Sequence, residues 1–304
     1  MGRDGVSAGA GRKILVVGDV IDDIVVIPSG PILPDTDTPS TIRRVAGGSA
    51  ANTAAWLGAI GRTVSSVGPV SFVGAVAASD LDRHAALLPG VQTRLQPVDA
   101  PTGTIVVVVD GDRRSLLTDR GANTLLDLDA IGDDLLGGHV HLTGHTMAAS
   151  DGAAFERLIR RAKGAGSTVS VNPGSVSYIA ALGAARFLAV IAGADLLIAT
   201  LAEGQALTGL VEPGEVCAAL DIATVVLTLG RDGAMVDGVR VAAASATVVD
   251  PTGAGDAFCA GFLARWAAGS DDITAARFGA EIAARSVAIV GGRPLSRRPG
   301  ALSA

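Results

Sequence analysis

Residues Thr247–Phe262 read TVVDPTGAGDAFCAGF, and the order of residue types in this stretch decides the fold. A short β-branched run, Thr247–Val249, meets a turn of Pro251, Thr252, Gly253, Ala254 and Gly255. A helix is expected from about Asp256, with Phe258, Phe262 and Trp266 at i, i+4 and i+8 for the core. Small residues let a ligand approach the backbone, and the free N–H groups of a helix start, aided by its dipole, suit an anion. The stretch is no Walker loop, because no Gly-Lys-Ser/Thr follows. Nor is it a dinucleotide fingerprint, since Phe258 stands sixth counting from Gly253. Its distinguishing residue is Asp256, a carboxylate beside an anion hole. Such a carboxylate can take a proton from a substrate hydroxyl while the amides stabilise a transferring phosphoryl group. The same spacing also suits an aspartate placed only for the helix dipole, and the residues alone leave both readings open.

Outward from this stretch, β-like runs alternate with helical ones. Lys13–Gly18 (KILVVG) reads as a buried first strand, and Val140–Leu142, Thr168–Val171, Leu196–Ile198 and Val225–Leu229 as further core strands. Helices are expected over Gly47–Ile60, Ala153–Ala165 and Ala202–Leu207. The alternation argues an α/β fold, a mostly parallel central sheet with helices on both faces. Ile105–Asp110 and Arg114–Thr118 flank a Gly111-Asp112 turn and read as a hairpin. Pro28–Pro39 (PSGPILPDTDTP) breaks the rhythm and reads as a surface flap.

The 304 residues are 49% hydrophobic, 18% charged and 3% aromatic, with 40 glycines and one tyrosine. That apolar fraction excludes global disorder. A mean hydropathy of +0.46 raises the question of a membrane. The longest apolar runs, such as Ile105–Val109 and Phe187–Ala192, fall short of the roughly 20 residues a spanning helix needs. A net charge of −6, two lysines (Lys13 and Lys163) and few aromatics speak against nucleic acid. Cys217 and Cys259 make no disulfide framework, and Met1–Arg12 lacks the apolar run of a secretion signal, so a cytoplasmic chain is expected.

DPTGAGDAF resembles the C-terminal signature of the ribokinase/PfkB family of carbohydrate kinases. Gly18–Asp23 (GDVIDD), Gly47–Asn52 (GGSAAN), Arg120–Asn123 (RGAN) and Thr228-Leu229-Gly230 with Gly233 resemble further motifs of that family, in family order. The resemblance implies a ribokinase-like three-layer α/β/α sandwich over residues 13–292. It implies a small β lid from about 22–45 and 102–118, with flexible tails at 1–12 and 293–304. Asp256 would be the catalytic base, and Gly253, Ala254 and Gly255 the anion hole. Asp23, Gly47, Gly48, Asn52 and His145 would hold the sugar. Thr228, Gly230, Thr200, Glu203 and Thr252 would line the ATP site, with Glu203 reaching Mg²⁺ through water. Asp250 and residues 290–292 would offer carbonyls to a monovalent cation, K⁺ in some relatives. Thr200 stands where the family has asparagine, which implies retuned metal and phosphate handling. The resemblance further implies phosphorylation of a hydroxymethyl group on a sugar or sugar-containing small molecule, and admits a homodimer through the lid. The alternatives are a nucleoside kinase of the same family and a catalytically silent sugar-binding protein.

By themselves, Asn52 reads as an exposed polar helix residue and Glu203 as a helix-start carboxylate. His139 and His141 share a strand face, and with His145 they form a conceivable metal trio. No acidic ligand stands beside them, which favours strand-end histidines. Arg43 and Arg44 read as solvated charges. Trp56, Phe72 and Phe187 are the few aromatic candidates for walling a nucleobase.

Overall fold

The computed structural model describes residues 11–110, 113–150 and 152–294, so the Gly111-Asp112 turn lies outside the described residues. The first half of the chain runs β1 (Ile14–Val17), β2 (Ile21–Pro28), β3 (Ser40–Gly47), α1 (Ser49–Gly61), β4 (Val70–Val73), β5 (Ala75–Ala77), α2 (Leu81–Ala86), β6 (Gln92–Thr93), β7 (Gln96–Val98), β8 (Gly103–Asp110), β9 (Arg113–Asp119) and β10 (His139–Thr143). The second half runs α3 (Ala153–Gly164), β11 (Thr168–Asn172), α4 (Val176–Leu182), α5 (Ala184–Ile191), β12 (Leu196–Thr200), α6 (Leu201–Thr208), α7 (Pro213–Ala219), β13 (Thr224–Thr228), β14 (Ala234–Val236), β15 (Val239–Val241), α8 (Ala254–Trp266) and α9 (Asp272–Val287).

Among the described residues, a nine-stranded sheet has the order β15-β14-β13-β12-β11-β10-β1-β4-β6. It is parallel except where β14 and β15 turn back at one edge. Side chains alternate across a strand, so each apolar strand feeds two cores. Ile14 and Val16 join Phe72, Leu196 and Ile198 under α1, α8 and α9. Leu15 and Val17 join Val140, Leu142 and Leu197 under α3, α5 and α7. This is the expected three-layer α/β/α architecture. The small-residue composition has a packing reason in the α8–α9 pair: a Cβ on Gly261 would stand 2.8 Å from the Cα of Gly279. Only glycine lets these two backbones come so close.

A second sheet, β3-β2-β8-β9, stands apart from the first. Pro28 ends β2, and residues 29–39 form the largely exposed connection from β2 to β3 in this sheet. Thr247–Val249 differs from expectation, because no strand forms there. The N–H groups of Val249 and Asp250 instead donate to the carbonyl of Val287 at 2.7 and 3.1 Å, tying the segment to the end of α9. Its β-branched side chains stay exposed at Val248 and Val249. Among the described residues no helix is long and apolar enough to cross a membrane.

Candidate active site

The site gathers where β1 ends and where α1 and α8 begin. Beyond β1 the chain passes through Gly18 to Asp19, which is 2% exposed. Its carboxylate accepts from the N–H groups of Ser49 (3.2 Å) and Ala50 (3.0 Å), capping α1 from the connection between β1 and β2. Asn123, in the RGAN turn, pins the chain just after Asp19: its side chain both accepts from and donates to the Val20 backbone at 2.8 Å. Gly47 has a steric reason. A Cβ there would lie 2.2 Å from Oδ2 of Asp23, so only glycine admits that carboxylate.

Asp256 lies in the first turn of α8 and meets α1 across the site. Ser49 Oγ donates to its Oδ1 at 2.7 Å, and Asn52 Nδ2 donates to its Oδ2 at 2.9 Å. Burial pushes its carboxyl up to about 7, the hydrogen bonds from Asn52 and Ser49 oppose that rise, and the charges of Asp19 and Asp23 add to it. Asp23 is raised to about 6 by burial and by Asp19, with Arg293 opposing. Both carboxyls therefore titrate near neutrality, where a proton acceptor is useful. The helix begins two residues before Asp256, at Ala254, with Gly253 as its cap at φ 74°. A Cβ on Gly253 would stand 2.5 Å from the Cα of Gly292, whereas one on Gly255 would meet nothing. The start of α8 thus offers a tight, open-sided row of backbone N–H groups, which fits a phosphate.

Arg293 begins the segment expected as a flexible tail, yet it is anchored inside the site. Its guanidinium donates to Asn52 Oδ1 (3.1 Å), the Gly47 carbonyl (2.7 Å) and the Leu87 carbonyl (3.3 Å). Burial lowers its pKa to about 10, while the surrounding aspartates hold it up, so it stays a cation. No periodicity or motif marks it, because its partners come from the end of β3, α1 and the residue after α2. Ser49 and Asp19 also escaped the sequence reading. The GDVIDD and GGSAAN motifs contain them, but only the fold brings them to Asp256.

Of the expected nucleotide-side residues, Thr200, Glu203, Thr228 and Gly230 lie at or just beyond the ends of β12 and β13, whereas Thr252 lies in the loop before α8. Thr200 caps α6: its Oγ1 accepts from the Glu203 N–H at 3.2 Å, and Glu203 Oε2 accepts from the Thr200 N–H at 2.7 Å. Threonine and asparagine are both good helix caps, so the replacement preserves this local role. Burial raises the Glu203 pKa. Thr228 pairs with Thr200 in the sheet, and Gly230, at φ 61°, has open space where a Cβ would stand. The Asp250 carboxylate accepts from the N–H groups of Thr252 and Gly291, both at 2.9 Å, and so joins the signature loop to residues 290–292.

His145 lies against the edge of Tyr178, with ring centroids 5.0 Å apart, on the Asp19 side of the site. His139 and His141 belong to the core: both bond Ser170 Oγ at 2.8 Å, and burial lowers each to about 3. The metal-capable trio among the described residues is a different one, Asp22, Asp80 and His84. There the Arg83 guanidinium already binds Asp22 bidentately at 2.7 Å and reaches Asp80 at 3.1 Å. Arg43 and Arg44 are exposed, as expected. Trp56, Phe72 and Phe187 are buried in the cores, and Trp56 Nε1 donates to the Gly292 carbonyl at 3.0 Å.

Comparisons with known proteins bear on the family and the fold. Residues 12–297 match the pfkB family of carbohydrate kinases. The chain is 33% identical over 250 residues to an ATP-dependent ribose-1-phosphate kinase of Halopiger xanaduensis, covering 79% of this chain and 80% of that protein. It is 31% identical to a 2-dehydro-3-deoxygluconokinase of Thermoproteus tenax, over 57% of this chain and 58% of that protein. Among solved structures, an adenosine kinase from Sinorhizobium meliloti superposes with a TM-score of 0.80 at 25% identity, covering 94% and 97% of the two chains. A probable sugar kinase from Rhizobium etli gives 0.81 at 24% identity, covering 95% and 96%.

Proposed function

The chain belongs to the pfkB family of carbohydrate kinases, and from that membership we propose which residues carry the transfer to a sugar hydroxymethyl group. Asp256 accepts the proton of the hydroxyl as its oxygen bonds to the γ-phosphorus of ATP. The bond from that phosphorus to the bridging oxygen breaks, and ADP leaves. The N–H groups at Gly253, Ala254 and Gly255 receive the charge that spreads over the phosphoryl oxygens. Asp23, Gly47, Gly48 and Asn52 hold the sugar hydroxyls, a carboxylate and an amide together accepting from and donating to a diol. Thr200, Glu203, Thr228, Gly230 and Thr252 line the nucleotide side. Glu203 fits an Mg²⁺ ion held through water, because one of its oxygens remains beyond the capping bond. Bound Mg²⁺ would neutralise phosphate charge that no nearby lysine can meet. Asp250 and residues 290–292 form the loop pair that would take K⁺.

The observation that carries this reading is the buried Asp256 carboxylate, held between Ser49 and Asn52 at the start of a helix and titrating near 7. The sheet β3-β2-β8-β9 acts as the lid that excludes water from the transfer. Ile42, Leu116 and Leu117 are all exposed on it. Leu116 and Leu117 are adjacent in β9 and so lie on opposite faces of this sheet. The exposed apolar residues of this sheet are the surface for a homodimer. An ATP-dependent reaction and two free, buried cysteines suit the cytoplasm. The test is ADP release from Mg-ATP across a panel of sugars, sugar phosphates, sugar acids and nucleosides. Turnover of at least one acceptor by the wild type, and a rate about 10³-fold lower for Asp256→Asn, is expected. An Asp256→Asn protein with a rate near the wild-type value would sink the base assignment.

A further inference from the structure

We infer that Arg120, with His145 beside it, reads an anionic group on the acceptor, a phosphate ester or a carboxylate at the end remote from the reacting hydroxymethyl. The inference rests on the kinase reading above and narrows its substrate class.

Three buried or half-buried arginines stand around the site, and they differ in what their donors do. Arg83 is fully engaged by Asp22 and Asp80. Arg293 gives its hydrogen bonds to Asn52, Gly47 and Leu87. Arg120 is the exception: its Nε and Nη1 are buried with no hydrogen-bond partner among the described residues. Its nearest carboxylate, Asp19 Oδ2, is 3.7 Å from Nη1, too far for a hydrogen bond. That carboxylate is already committed to the N–H groups of Ser49 and Ala50. The Arg120 guanidinium instead lies over the Tyr178 ring, 5.0 Å from its centroid. Stacking fixes the plane of the fork while leaving its N–H groups uncommitted.

His145 repeats the pattern. It rests on the same Tyr178 ring, and its Nδ1 is likewise buried without a partner. Native proteins rarely leave such donors unmatched, and a planar arginine fork matches a carboxylate or phosphate best. The place is right for the acceptor. A chain of contacts joins Arg120 to Asp256: Arg120 faces Asp19, Asp19 accepts from the Ser49 N–H, and Ser49 Oγ donates to Asp256. An anionic sugar entering among Asp19, Asp23 and Asp256 would be repelled unless a cation met it. Arg120 is the cation with donors to offer.

The experiment pairs anionic acceptors with neutral ones: ribose 1-phosphate against ribose, and 2-dehydro-3-deoxygluconate against glucose, with adenosine as a further neutral probe. With Mg-ATP, one anionic acceptor should exceed its neutral partner in kcat/KM by about 100-fold, and which pair responds separates phosphate from carboxylate. Arg120→Met should raise the KM of that acceptor about 30-fold with little change in kcat or in the KM of ATP, and Arg120→Lys should recover part of the loss. The penalty should be at least about tenfold smaller on the neutral partner. Preference for a neutral sugar or adenosine overturns the inference. So does an Arg120→Met effect that falls equally on every acceptor. Calorimetric binding of the same compounds to Asp256→Asn, without ATP, separates the two levels. Absence of turnover by the wild type with retained, Arg120-dependent binding of an anionic sugar defeats the kinase reading and keeps the anion site. Binding that ignores Arg120→Met defeats the anion site alone.

Discussion

Ser49→Ala should move the acidic limb of the pH–rate profile without disturbing the fold. Ser49 opens α1 behind the Gly48 cap, a position where alanine is a good helix former. What the substitution removes is the 2.7 Å hydrogen bond from Ser49 Oγ to Asp256 Oδ1. That bond favours the ionised carboxylate and opposes the burial that lifts Asp256 to about 7. A hydrogen bond to a charged group is worth about 1.5–3 kcal/mol, and the lower figure applies because Ser49 is only half-buried and water can replace it. At about 1.4 kcal/mol per pH unit, the pKa of Asp256 rises by roughly one unit. A base must be ionised to accept a proton, so activity climbs as pH passes through its pKa. Measured as kcat/KM for the acceptor at saturating Mg-ATP, the limb should move from a midpoint near 7 to one about a unit higher, with the alkaline plateau largely kept. Asn52, the other donor to Asp256, stays in place and limits the shift. An unmoved midpoint, or an equal loss of rate at every pH, refutes the reasoning and makes Ser49 a packing residue.

Asp256→Asn should lower kcat by about 10³-fold and leave the KM of ATP near the wild-type value, as steady-state kinetics will test. The same substitution has a stability signature. The folded pKa of about 7 lies above the ordinary aspartate value of 3.8, so the native state keeps a proton that the unfolded chain releases, and its stability falls as pH climbs through that window. Asp256→Asn should therefore melt higher than wild type at about pH 8 and lose that advantage at about pH 4; equal shifts at both would contradict this. Gly253→Ala combines φ 74° with a Cβ 2.5 Å from Gly292, and should cost about 1–3 kcal/mol and raise the KM of ATP; an unchanged melting temperature argues against the tight turn. Arg293→Met removes a counter-charge from Asp23 and Asp256, so the acidic limb should move up, with Arg293→Lys intermediate; a limb that moves down would be inconsistent.

Much of the site was legible because its residues lie within single local motifs. The small residues from Gly253 to Gly255 announce a helix start that can take an anion, and Gly47 proves to be glycine because Asp23 sits against it. Thr247–Val249 shows where such reading stops. Three β-branched residues look like a strand, but a strand needs a neighbour to pair with, and the nearest hydrogen-bond acceptor was the end of α9. The terminal segment shows the opposite error. A stretch without periodicity reads as a tail, yet Arg293 is held by Asn52, 241 positions away.

The sequence by itself determined the class of the protein: alternating apolar strands and amphipathic helices, a glycine-rich helix start with an aspartate behind it, and family motifs in order. Each of these signals is carried by residues within a turn or two of one another, which is the range over which helix and strand periodicity acts. Only the tertiary structure decided the chemistry of the carboxylates and arginines. Ser49 reaches Asp256 across 207 positions, and Asp23, Asp19 and Arg293 gather around them. A pKa near neutrality, and the difference between an arginine fully engaged and one with donors to offer, arise from burial and from neighbours that are distant in sequence. Those come into being when the two sheets and the helix starts are assembled.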